Sequence, residues 1–226
     1  MPLLFALLLL LPMASLAERP LNIAAAANFR PTIERINAEF TASSGREVTL
    51  SSASTGILTS QAMYGAPYHL LLAADAEAPA RLFAQGIGQQ PFCYAVGQLA
   101  LVGGPTERLA ESDRSLAIAN PDTAPYGRAA KDVLARENFS PQRKLVRGNN
   151  VLQAYQFWRS GTVDMAIVSR SLAGAEGAPI PASWHRELAQ HAVVLAQHPD
   201  LSAYLAWLGS DTVRSLILDS GYQPCP

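Results

Sequence analysis

The stretch Leu21 to Pro31, LNIAAAANFRP, constrains this chain more than any other. Leu21 and Ile23 begin an apolar run, the alanines Ala24 to Ala27 continue it, and Asn28 ends it. Beyond Pro31 the apolar period changes, with Ile33, Ile36 and Phe40 recurring at helical spacing. The pattern predicts a buried strand, a tight polar corner and a helix starting between Phe29 and Pro31. Pro31 suits a first helical turn, where a missing N–H costs little, and Asn28 is of a type that caps helices. The small alanines let a second body approach the backbone. Such a corner aims free N–H groups and a positive dipole end at one spot, which suits an anion.

The device recurs at SASTG (Ser52 to Gly56), APYG (Ala124 to Gly127) and GNNV (Gly148 to Val151), each between an apolar segment and a helical one. Strands alternating with helices predict an α/β fold with mostly parallel sheets flanked by helices. Ligands of such sheets bind at the carboxyl ends of the strands. Phe92 to Val102 reads as one longer strand with Gly97 inside it, placed mid-chain. Late helices over Leu201 to Leu208 and Thr212 to Asp219 can return to the first sheet. The expected organisation is two lobes joined by crossing strands, with residues 18–94 plus 199–226 in the first and 95–198 in the second. The four corners then face a cleft.

A net charge of −1 over 226 residues argues against nucleic acid, whose phosphates need a basic surface. An anionic ligand would instead be held by a few aimed dipoles. Met1 to Ala17 reads as a secretory signal, an apolar run from Leu3 to Leu11 followed by the small-x-small site Ser15 to Ala17. The run is short for a membrane span, and no Lys or Arg precedes it; a retained anchor is the alternative. No Cys follows it, which argues against a lipoprotein. Cys93 and Cys225 are the two cysteines. In an oxidising compartment they can pair, the alternative being two separate thiols, and so far apart they make a poor metal site.

At the corners, Asn28, Ser54 and Thr55 can supply side-chain donors, and Ala27, Tyr126 and Val151 main-chain N–H groups. The plainer reading is that Asn28, Ser54 and Thr55 only cap helices. A hydrolase needs a base and a nucleophile in register. His69 lies in a strand context, His185, His191 and His198 fall in late polar segments where solvated side chains are expected, and neither G-x-S-x-G nor H-E-x-x-H occurs. Asp75 and Glu77 sit where a helix start favours acids. Phe157 and Trp158 fit core packing better than a stacking platform. We therefore expect no catalytic residue and no metal-ligand cluster.

The segments AAAANFRP, SSASTGILTSQ with GAPYHLLLAAD after it, IANPDTAPYGRAAKDVL and GNNVLQAYQFWRSGTVDMAIVS, in that order, resemble the periplasmic molybdate-binding proteins of ABC importers. The resemblance runs from about Leu21 to Tyr222. It implies a two-lobed periplasmic binding protein fold of type II, with molybdate or tungstate held in the hinge cleft by neutral hydrogen bonds. It also implies no cofactor, a monomer in the periplasm, and delivery to an ABC permease and ATPase at the inner membrane. Carried over by position, the ligand set is Asn28 with Ala27 beside it, Thr55 with Ser54 as its neighbour, and the N–H groups of Tyr126 and Val151. Many members have Ser at the first corner where this chain has Asn28, and a Tyr donor after the AlaIleVal strand where it has Ser169. The same fold can bind other oxyanions, such as sulfate or a phosphonate. No Asp or Glu falls within the corners, although Asp122 is near the third. This favours an anion that carries no proton.

Overall fold

The computed structural model describes residues 19–136, 138–139 and 142–226; the expected signal, residues 1–17, lies outside them. The described strands form two five-stranded sheets. The first contains β1 (Leu21–Ala26), β2 (Val48–Ala53), β3 (Leu70–Leu72), β4 (Phe92–Val96) and, from far along the chain, β10 (Ala189–Val194). The second contains β5 (Leu99–Val102), β6 (Leu116–Ala119), β7 (Leu145–Gly148), β8 (Met165–Ser169) and β9 (Ala178–Pro179). Their spatial orders are β2-β1-β3-β10-β4 and β7-β6-β8-β5-β9. The helices are α1 (Arg30–Ser44), α2 (Thr55–Met63), α3 (Glu77–Ala84), α4 (Pro125–Leu134), α5 (Val151–Arg159), α6 (Arg170–Ala173), α7 (Leu201–Leu208) and α8 (Asp211–Asp219).

The alanine strand is buried because both faces of its sheet are covered. Leu21, Ile23 and Ala25 share one apolar cluster with Ile33, Ile36 and Phe40 of α1, Tyr204 of α7 and Val213 and Ile217 of α8. Ala24 points the other way, into a cluster with Leu58 and Ala62 of α2 and Leu82 of α3. This is the alternation of a strand between two helical layers. The second sheet has its own core, which takes in Tyr126, Ala129, Ala130 and Val133 of α4 and Val151 and Ala154 of α5. Phe157 and Trp158 pack against that core as apolar wall.

The sheets are mostly parallel, with one reversed strand each. In the first, β2, β1 and β3 run together, β10 runs against β3, and β4 runs against β10. In the second, β7, β6 and β8 run together, β5 runs against β8, and β9 against β5. The reversed strands are those that enter a sheet after crossing from the other. A chain leaving at the carboxyl edge of one sheet enters the facing sheet at its carboxyl edge and must run away from it.

The expected single strand over Phe92 to Val102 is therefore two strands in different sheets. The break falls at Gly97. Its N–H donates to Leu188 O at 2.9 Å, and a Cβ there would lie 2.2 Å from Tyr126 Oη and 2.5 Å from Gln190 Nε2. The return to the first sheet also comes earlier than residue 199, because β10 already pairs with β3 and β4. Cys93 and Cys225 form a disulfide with Cα atoms 6.1 Å apart. It pins the C-terminal tail to β4, beside a two-way backbone bridge between Val96 and Gln223 at 2.8 Å each.

Candidate functional site

β1 lies between β2 and β3, and β6 between β7 and β8. In each sheet the chain order therefore reverses sides at that strand, which is where open α/β sheets leave a crevice at their carboxyl ends. The two crevices face each other. All six residues singled out in the sequence (Ala27, Asn28, Ser54, Thr55, Tyr126 and Val151) line one cavity there. It is tightly drawn in, with a volume of ≈ 10 Å³ for the centre of a water-sized sphere. Its lining contains no Asp, Glu, Lys, Arg or His. Asp122 is exposed and does not line it.

Ser54 and Thr55 are not helix caps. Ser54 stands at the N-cap of α2 but makes no capping hydrogen bond, and its Oγ, in a residue only 2 % exposed, has no partner among the described residues. The Thr55 hydroxyl accepts the Ala74 N–H at 2.9 Å. That bond fixes the oxygen and leaves the hydroxyl proton to be donated. Buried polar groups are normally satisfied, so an orphaned hydroxyl in a cavity wall marks where a ligand acceptor belongs.

Main-chain donors complete the set. No hydrogen bond to the N–H groups of Asn28, Thr55, Tyr126 or Val151 occurs among the described residues. Tyr126 and Val151 open α4 and α5, and Thr55 opens α2, so three of these donors carry the positive end of a helix. The fourth corner is held by Asn150, whose side chain accepts the Gln153 N–H at 2.9 Å and caps α5. Asn150 also lines the cavity. It was not among the residues expected from the sequence, although an Asn just before a helical run is the ordinary signal of a cap.

Two expected donor roles need correction. The Ala27 N–H is engaged, donating to Ala53 O at 2.9 Å as the last rung between β1 and β2; the free N–H of this corner belongs to Asn28. The Asn28 side chain is also occupied. Its Nδ2 donates to Gln190 Oε1 at 3.0 Å and to Tyr222 Oη at 3.1 Å. The Asn28 side chain thus positions the corner and leaves its main-chain N–H free. The Asn28 carbonyl accepts from the Tyr222 hydroxyl at 2.9 Å and from the Ser171 hydroxyl at 3.1 Å.

Behind the cavity these contacts form a buried net. Gln190, fully buried on β10, accepts from Asn28 and from the Tyr94 hydroxyl at 2.8 Å, and donates from Nε2 to Tyr126 Oη at 3.1 Å. The Tyr126 phenol therefore points into the net while its N–H opens α4. Burial pushes the Tyr94 and Tyr126 phenols well above the ordinary tyrosine range, so they stay neutral. Ser169 lies outside the cavity lining, 2.9 Å from Ser171 Oγ.

Two more contacts join the lobes. The Gly56 N–H donates to Thr123 O at 2.8 Å, and a Cβ on Gly56 would meet the same oxygen at 2.8 Å. Arg128 Nη2 lies 2.5 Å from Asp75 Oδ2 and 4.0 Å from Glu77 Oε2.

The histidines are elsewhere. His69 Nδ1 accepts the Asn22 N–H at 2.9 Å, and its ring stands 4.6 Å from that of His198. The His198 side chain is 6 % exposed, so the expectation that it is solvated does not hold. Burial, then the neighbouring His198, lower the His69 pKa.

Two lobes, a cleft at both switch points and a wall of uncharged donors define a binding protein for a small acceptor-rich solute. The model for bacterial extracellular solute-binding proteins matches residues 21–223, and the chain belongs to that family. "Molybdate-binding protein ModA" of Azotobacter vinelandii is 32 % identical over 223 residues, 89 % of this chain and 88 % of the relative. The protein of the same name from Rhodobacter capsulatus is 33 % identical over 219 residues, 88 % of this chain and 86 % of that one. Among solved structures, the Azotobacter vinelandii periplasmic molybdate-binding protein is similar with a TM-score of 0.81 at 28 % identity, covering 91 % of this chain and 100 % of that one.

Proposed function

We propose that this protein captures molybdate or tungstate in the interlobe cavity and delivers it, as a periplasmic monomer, to an ABC permease and its ATPase at the inner membrane. Residues 1–17 would serve as the cleaved export signal. The ligand oxygens would be held by the Ser54 and Thr55 hydroxyls and by the N–H groups of Asn28, Thr55, Tyr126 and Val151. Ala27 would supply close approach without a donor. The observation that carries this reading is a cavity wall lined with unpaired donors and bearing no charged side chain. Molybdate and tungstate are fully ionised near neutral pH and only accept hydrogen bonds. A phosphate that keeps a proton would meet no carboxylate to receive it. The reading involves neither turnover nor a cofactor.

Calorimetric titration with molybdate, tungstate, sulfate and phosphate tests it. Molybdate and tungstate should bind tightest, the smaller sulfate more weakly, and phosphate least. Sulfate or phosphate binding as tightly as molybdate would overturn the assignment of the ligand.

A further inference from the structure

Asp75 and Arg128 lie on opposite lobes, Arg128 two residues from a proposed anion donor and Asp75 next to the residue that fixes one. Asp75 follows Ala74, whose N–H fixes the Thr55 hydroxyl. Arg128 follows Tyr126 by two positions on α4. The Asp75 carboxylate is held from both sides: Oδ1 accepts the Ala78 N–H at 3.0 Å in the first turn of α3, and Oδ2 accepts from Arg128. The two side chains are 13 % and 27 % exposed, so water screens this pair less than the open surface pairs of the chain. A carboxylate near a bound dianion repels it unless a cation answers the charge. The answering cation comes from the other lobe, so it arrives only when the cleft closes.

We propose that Arg128 and Asp75 form a cross-cleft clasp that sets how long the bound oxyanion is retained. The proposal rests on the anion-binding reading of the cavity and assigns the pair a positioning role. With the cleft closed, Arg128 neutralises Asp75 beside the ligand and ties α4 to the start of α3. With the cleft open, the pair is apart and the Asp75 carboxylate disfavours re-entry of an anion. The Gly56–Thr123 backbone bond alone supplies no such charge compensation.

Stopped-flow dissociation of molybdate from Arg128→Gln, Asp75→Asn and the double variant tests the clasp. Arg128→Gln should speed dissociation roughly tenfold by leaving a carboxylate unpaired. Adding Asp75→Asn should recover much of that loss, since Asn keeps an acceptor for the Ala78 N–H while removing the charge. The ligand-free melting temperature should move little, which separates the role from a structural one. Dissociation from Arg128→Gln within twofold of the wild type, or single effects that simply multiply in the double variant, would overturn the clasp. Scattering of the ligand-free protein between low salt and about 0.5 M salt gives a reading that needs no ligand: the wild type should expand with salt and Arg128→Gln should not. A wild type that expands no more than the variant overturns the clasp. A wild type that binds none of the four oxyanions overturns the anion reading instead.

Discussion

At the residue scale the decisive atom is Ser54 Oγ, buried and without a partner among the described residues. An orphaned buried hydroxyl costs about 1–3 kcal/mol. Ser54→Ala should therefore leave the ligand-free protein as stable as before or more so, because no cap bond is lost. Molybdate affinity should fall roughly tenfold, about 1.4 kcal/mol. Thermal melting without ligand and calorimetry with it check both halves, and an unchanged affinity would move the hydroxyl out of the ligand set. The corner residues were legible because strand, polar corner and helix start leave a mark in composition. The direction of a donor was not. Whether the N–H of Ala27 or of Asn28 faces the cavity depends on where the β1–β2 ladder stops, a tertiary fact. Gln190 left no mark either, since one polar residue within a strand looks like any solvated position until three partners surround it.

At the element scale, the crossing between β4 and β5 shows how a glycine can divide an apolar run. Phe92 to Val102 reads as one strand because both halves are apolar and neighbours in sequence. The split is imposed by Tyr126 and Gln190, which fill the place of a Cβ at residue 97. Gly97→Ala should push those groups apart, destabilise the fold by about 1–3 kcal/mol and weaken anion binding by disturbing the net behind the site. Gly209→Ala is the control: its added Cβ meets nothing closer than 3.4 Å and should be neutral. Urea denaturation of both variants decides the matter; equal midpoints would mean that the crossing tolerates a side chain. Helix positions were easier to read. Leu201–Leu208 matches its expected span, and the expected Thr212 to Asp219 is observed as Asp211–Asp219, a shift of the kind helix termini show; the short α6 was not expected.

At the scale of the whole molecule, the link between Cys93 and Cys225 spans 132 residues of sequence. In the chain-entropy model such a loop contributes about 5 kcal/mol. Cys93→Ser with Cys225→Ser should lower the urea midpoint markedly and loosen the tail that brings Tyr222 to Asn28; a midpoint unchanged by the double replacement would rule out that contribution. The two lobes and the mostly parallel sheets were legible because alternating strands and helices admit few other layouts. The point of return was not, because the sequence of a strand such as β10 does not state which of two sheets it joins. That return has a further consequence for how the molecule is made. Among the described strands of the first sheet, β4 has β10 as its only neighbour, and α7, α8 and Cys225 come later still. A chain emerging amino end first cannot complete its first sheet until nearly all of it has appeared. The second sheet, whose strands all fall between Leu99 and Pro179, can pair completely before the first one does.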